Sequence, residues 1–216
     1  DLTNEVAYVI STFADSITSI DISDPSNLTE LDSFNSSSLT FAVNVALDLT
    51  NQVAYVVSRL ANSITSIDIS DPSNLTELDS FDSANLNSVR GIALDLTNQV
   101  AYVASGGSNS ITSIDISDPS NLTQLDNLSN TNLNFAIYVV LDLTNQVAYV
   151  ASLNADGITS IDISTPSNLT ELDSLRNSNL DGARGVALDL INQVAYVVAQ
   201  NADSITSIDI SDPSNL

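Results

Sequence analysis

The sequence predicts an all-β protein, a β-propeller of four-stranded antiparallel blades, about five in number, with the first and last incomplete. Three observations carry this expectation. A 47-residue unit recurs without insertion, each copy holds four short β-type runs, and turn-forming residues separate those runs at fixed places.

Two landmarks define the unit. Asp-Leu-Thr-Asn begins at Asp1, Asp48, Asp95 and Asp142 and returns as Asp-Leu-Ile-Asn at Asp189. Ser-Ile-Thr-Ser-Ile-Asp-Ile-Ser begins at Ser16, Ser63, Ser110 and Ser204, with Gly157 heading the fourth copy. Residues 1–216 therefore read as a single repeat domain whose units start at 1, 48, 95, 142 and 189, the last being partial.

Within residues 41–81 the four runs are Val43–Leu49, Val53–Val57, Ile64–Ser70 and Leu75–Phe81. Thr50-Asn51-Gln52 predicts a tight hairpin, with Asn51 tolerating positive φ and Asp48 accepting backbone N–H groups. Asp71-Pro72-Ser73-Asn74 has the residues of a type I turn, Asp at its first position and Pro at its second. Second and third runs number five each, first and fourth runs only four. The inner strand of the first blade and the outer strand of the last are thus missing. Open edges among near-identical copies predict self-association or pairing with further repeats of a longer chain. The lack of an initiator methionine and of a signal peptide is expected for a processed or excised chain.

The unit resembles the LVIVD repeat, whose copies build β-propellers. Ile17-Thr18-Ser19-Ile20-Asp21 aligns with the motif, Ile22-Ser23-Asp24-Pro25-Ser26-Asn27 resembles the stretch that follows it, and Ala7-Tyr8-Val9 resembles its alanine-tyrosine-valine strand. The chain departs from the pattern at Thr18 and Ser19, where the family has apolar residues, and at Leu28, where it often has proline. The resemblance implies a propeller and a surface or secreted protein; it implies little about activity.

Composition excludes several functions. Four arginines stand against 27 acids, a net charge of −23. Such a surface repels nucleic acid, whose binding depends on neutralising phosphates. It also repels anionic membranes, and it suits a saline or calcium-containing medium that screens self-repulsion. The longest apolar run, Phe135 to Leu141, is far short of the roughly 20 residues a membrane span needs, so no membrane insertion is expected. Without Cys or His there is no zinc site, thiolate nucleophile, disulfide or haem ligand.

Comparison of the copies locates the candidate site. The two hairpin sequences hardly change. The links from second to third run, and from the fourth run into the next unit, change freely. In up-and-down blades those two links share one end. All four Arg and all six Gly lie in them, with Phe13, Phe41, Phe135 and Tyr138. Loops on a rigid scaffold are where recognition resides, so this end is expected to bind a ligand. Arg90 and Arg184 occupy the same repeat position, at the entry to an inner strand, and could grip a carboxylate or sulfate bidentately. Arg59, Tyr138, Phe41 and Phe135 complete the candidate set. The alternative is that these loops drifted and their arginines merely offset local acids.

Other motifs have two readings as well. Asp21 and Asp24 could contribute to a calcium site, calcium being the one cofactor considered, or could satisfy turn N–H groups. Thr165 in place of the Asp24-type residue favours the second reading. Asn27, Asn74, Asn121 and Asn168 head Asn-Leu-Thr glycosylation sequons, yet Asn also closes the turn well. No catalytic residue is assigned: Asp82, Asp156, Asp181 and Asp203 share the variable end, but nothing pairs them as glycoside hydrolysis requires. The expected function is a non-enzymatic extracellular or cell-surface building block of a larger assembly, such as a filament or surface layer. A lectin-like or protein-binding propeller, taking a glycan or protein ligand, and a glycoside-acting enzyme are the alternatives.

Overall fold

The computed structural model describes all 216 residues and contains five antiparallel sheets in chain order. The first holds β1 (Val6–Ser11), β2 (Ser16–Asp21) and β3 (Thr29–Asn35). Three complete blades follow: β4 (Ala42–Asp48) to β7 (Thr76–Asp82) with β5 (Val53–Ser58) and β6 (Ser63–Asp68); β8 (Val89–Asp95) to β11 (Thr123–Ser129) with β9 (Val100–Ser105) and β10 (Ser110–Asp115); and β12 (Ala136–Asp142) to β15 (Thr170–Arg176) with β13 (Val147–Ser152) and β14 (Gly157–Asp162). The last sheet holds β16 (Ala183–Asp189), β17 (Val194–Ala199) and β18 (Ser204–Asp209). The two missing strands are those the repeat count anticipates. No helix is long and apolar enough to cross a membrane.

Strand order equals chain order in every sheet, so each blade is a meander and its links alternate between two ends. At the constant end, Asp48 caps its hairpin: its Oδ1 accepts the N–H groups of Thr50 and Asn51, and its Oδ2 accepts the Asn51 side-chain amide at 2.7 Å. Positive φ falls on Gln52 (φ 57°), not on Asn51. Asn51 is held instead by its side chain, and the left-handed residue comes last in the loop, where the chain must turn into β5. The second constant turn closes through the Asn74 N–H to the Asp71 carbonyl at 2.9 Å, as its Asp-Pro sequence predicts.

Each strand's alternation splits its residues between two neighbours. In the second blade, Tyr55, Val57 and Ile64 face the blade that follows, while Ala54, Val56, Ile67 and Leu75 face the one before. Four apolar clusters result, one per pair of successive sheets, and none joins the last sheet to the first. The departures from LVIVD are accommodated here. Ser66, equivalent to Ser19, is fully buried and donates to the Pro119 carbonyl of the next blade at 2.6 Å. Asp79 reaches the same neighbour, its Oδ2 accepting the Leu122 N–H at 2.7 Å. Both bonds recur along the arc, so acids of the fourth strands tie blade to blade.

The outermost faces lack such partners. Tyr55, Tyr102 and Tyr149 are fully buried, whereas Tyr196 is 44% exposed and Ile205, equivalent to buried Ile158, is 73% exposed. On the opposite outer face, Leu28 is 58% exposed where Leu75 is 3%. The molecule is an open arc of five blades around a channel lined by β4, β8, β12 and β16.

Candidate functional site

The variable end gathers its residues through one repeated backbone device. Every complete inner strand begins with a register shift against its partner, between Ala42 and Asn44, Val89 and Gly91, Ala136 and Tyr138, and Ala183 and Gly185. The residue inside each shift is a β-bulge: Val43, Arg90, Ile137 and Arg184. A bulge leaves its extra residue unpaired and re-aims the side chain. All four side chains line one pocket of about 500 Å³ at the channel mouth, completed by Thr12, Phe135 and Leu153.

Two positions ahead of each bulge stands a residue with left-handed backbone: Phe41 (φ 60°), Ser88 (φ 54°), Phe135 (φ 56°) and Gly182 (φ 72°). A Cβ-bearing residue there costs about 1–2 kcal/mol, and bulky phenylalanines are out of place unless held. They are held. Asp15 Oδ1 accepts the Phe41 N–H at 2.8 Å and Asn109 Oδ1 accepts the Phe135 N–H at 2.9 Å; Asn62 and Asp156 do the same for Ser88 and Gly182. The same conformation recurs at Gln52, Gln99, Gln146 and Gln193 at the constant end, so it belongs to the turns of the repeat as a whole.

The held rings serve the arginines. The Arg90 guanidinium lies 5.3 Å from the Phe135 ring centre, and that of Arg59 lies 5.4 Å from Phe41, itself edge-on to Phe13. Arg59 Nε donates to Ser88 Oγ at 3.2 Å. Arg184 donates to Gln200 Oε1. No arginine forms an ion pair with an acid, although acids outnumber arginines 27 to four. Arg90 Nε is buried without a hydrogen-bond partner. Burial first, then the charges of Arg59 and Arg184, hold the Arg90 pKa below the usual guanidinium value. A cluster of like charges is thus concentrated where the surrounding charge is overwhelmingly negative, and an anion or a developing oxyanion would be stabilised there.

Of the sequence-predicted residues, Arg90, Arg184 and Phe135 line the pocket together, while Arg59 and Phe41 form an adjoining pair on its flank. Tyr138 stands one residue beyond the bulge and opens onto the channel wall instead. The bulge explains the split, since Ile137 takes the position that points into the mouth. Val43, Ile137 and Leu153 escaped sequence reasoning, although Val43 and Ile137 share the repeat position of the two arginines. Asp21 and Asp24 are committed to their own turns, accepting the N–H groups of Ser23 and Ser26. No three acids converge as a metal site would need. Asn27, Asn74, Asn121 and Asn168 are exposed at the ends of their turns, each N–H bonded to the carbonyl three residues back.

Comparison with known proteins adds two family matches. The model of the "Lactonase, 7-bladed beta-propeller" family matches residues 46–215, and that of the LVIVD repeat matches residues 7–36. No curated protein matches the chain. Among solved structures, a candidate 6-phosphogluconolactonase of Bacteroides uniformis superposes with a TM-score of 0.83 at 10% identity, over 99% of this chain and 66% of that one. A second such protein, from Bacteroides fragilis, gives 0.76 at 13% identity, covering 97% and 69%. A functionally unknown protein from Desulfotomaculum acetoxidans gives 0.72 at 14% identity, covering 93% and 64%. The chain therefore spans about two thirds of the length of these structures. The family match corrects the expectation of a non-enzymatic structural or adhesive module. It equally displaces the lectin-like and glycoside-acting alternatives: the family is named for lactone chemistry, and its model covers four of the five units.

Proposed function

Because the chain belongs to the seven-bladed β-propeller lactonase family, we propose that it is a lactone hydrolase whose site is the arginine-lined channel mouth. The observation that carries this reading is the convergence of Arg90 and Arg184 on one pocket, with no acid to neutralise them. Hydrolysis of a lactone develops negative charge on the carbonyl oxygen and ends in a carboxylate, and both suit this cluster.

In this reading the lactone carbonyl oxygen lies toward Arg90 and Arg184, with one ring face against Phe135. Water oxygen adds to the carbonyl carbon and its proton passes to solvent. The arginines stabilise the tetrahedral oxyanion. The ring C–O bond then breaks, and the departing alkoxide takes a proton from water. None of the seven lining residues is a base able to take the first proton, so the nucleophile is hydroxide or unassisted water. The rate is therefore expected to rise with pH through the neutral range.

The test is titrimetric hydrolysis of a lactone panel containing γ-butyrolactone and the phosphorylated sugar lactone for which the Bacteroides proteins are named. Replacing Arg90 by Met should lower kcat/KM by about a hundredfold, the scale for loss of one oxyanion-stabilising donor. Unchanged turnover in Arg90→Met, or none in the parent protein on any lactone, removes the reading.

A further inference from the structure

The strands that carry the arginines also carry a second feature. Immediately along β8, β12 and β16 from Arg90, Ile137 and Arg184 runs a groove of about 510 Å³ lined by ten residues, all hydrophobic. It extends from Tyr138 to Leu143 in the hairpin after β12, and includes Leu94, Leu141, Leu188 and Leu190. At about 3.3 Å per residue, Leu94 and Leu188 lie roughly 13 Å from Arg90 and Arg184. The mouth and the groove are two stretches of one channel wall.

Leu94, Leu141 and Leu188 are half-buried, each packed against a core between blades. Leu143 and Leu190, at the hairpin end of the groove, are 38 and 46% exposed. The acids beside them do not enter it: Asp95 and Asp142 are 0 and 3% exposed, and each is taken up by three donors of its own hairpin. The groove therefore presents no charged side chain along its length. A ligand with an anionic or carbonyl head and an aliphatic tail fits both stretches of the channel wall.

We propose that this wall selects lactones bearing an aliphatic chain, with the lactone carbonyl at Arg90 and Arg184 and the chain lying along Tyr138, Leu141, Leu94 and Leu188. This rests on the lactonase reading for the head group alone. The tail groove makes a separate claim that can be measured without turnover.

The experiment has two arms. In the first, straight-chain carboxylates from butyrate to decanoate, below their micellar concentrations, are titrated into the protein by calorimetry. Affinity should rise about two- to fourfold per added methylene, the range for partial to full burial. Leu141→Asn should flatten that series while leaving butyrate binding intact, with circular dichroism confirming the fold; Leu94→Asn serves if Leu141→Asn does not fold. In the second arm, γ-decalactone should be hydrolysed at least tenfold faster than γ-butyrolactone, judged by kcat/KM. A steep carboxylate series without any lactone turnover supports the groove and sinks the enzymatic reading. Lactone turnover with a flat carboxylate series, or with the phosphorylated sugar lactone preferred over γ-decalactone, overturns the groove and leaves the enzymatic reading standing.

Discussion

At the scale of single residues, the molecule places polar and strained groups where repetition would otherwise give plain apolar surface. Phe135 is the clearest instance. Its left-handed backbone is held by Asn109, and its ring supports the guanidinium of Arg90. The fold's tyrosines show what burial does to titration. Burial first, then the charge of Asp142, pushes Tyr149 up to about 12, and Tyr55 and Tyr102 are raised for the same reasons by Asp48 and Asp95. A raised pKa means the folded state keeps its proton while the unfolded chain gives it up near 10.0. The stability these residues contribute is complete below pH 10 and is lost as pH climbs toward 12. Denaturant midpoints from pH 8 to 12 should therefore fall above pH 10, with tyrosinate absorbance appearing together with unfolding. Tyrosinate forming along an ordinary curve in a still-folded protein would contradict this.

At the scale of the element, the hairpin after each inner strand is a self-contained clasp. Asp95 is fully buried and accepts three hydrogen bonds from Thr97 and Asn98. Asp95→Ala leaves those donors short and should cost about 1–3 kcal/mol, read from urea unfolding. Gln99, at φ 54°, should behave oppositely: Gly tolerates that backbone freely, and Gln99→Gly should gain about 0.5–1 kcal/mol. How far the elements could be read from sequence follows from range. The four strands and both constant turns lie within one unit, and their alternation and turn residues reveal them to within two residues. The one-turn 3-10 helices Ser37–Leu39, Ala84–Leu86, Thr131–Leu133 and Ser178–Leu180 were missed. Each rests on a Ser or Asn cap inside a segment whose sequence varies. The bulges were missed because a shift of one residue leaves no trace in a period-two pattern. The inter-blade acids were missed because Asp79 meets Leu122 43 residues away. The arginines of the site were legible because a rare residue recurred at one repeat position, whereas its apolar lining looked like core.

At the scale of the whole molecule, stability is a chain of like interfaces, so the same substitution should weigh differently by location. Ile158→Ala, inside the fourth interface, should cost about 2–5 kcal/mol. Ile205→Ala makes the equivalent change on the exposed outer face and should fall within about 0.5 kcal/mol. Equal losses, measured by urea denaturation, would mean that the outer face is covered in solution.

The bulged residues also bear on how such a protein can change. Val43, Arg90, Ile137 and Arg184 are presented on the same backbone and meet at one mouth, and of the four only Val43 packs against a core between blades. Mutation at Arg90, Ile137 or Arg184 can therefore rewrite the lining of the mouth one blade at a time without touching the cores between blades. Copying supplies robustness, and a single unpaired residue per copy supplies the freedom to diverge.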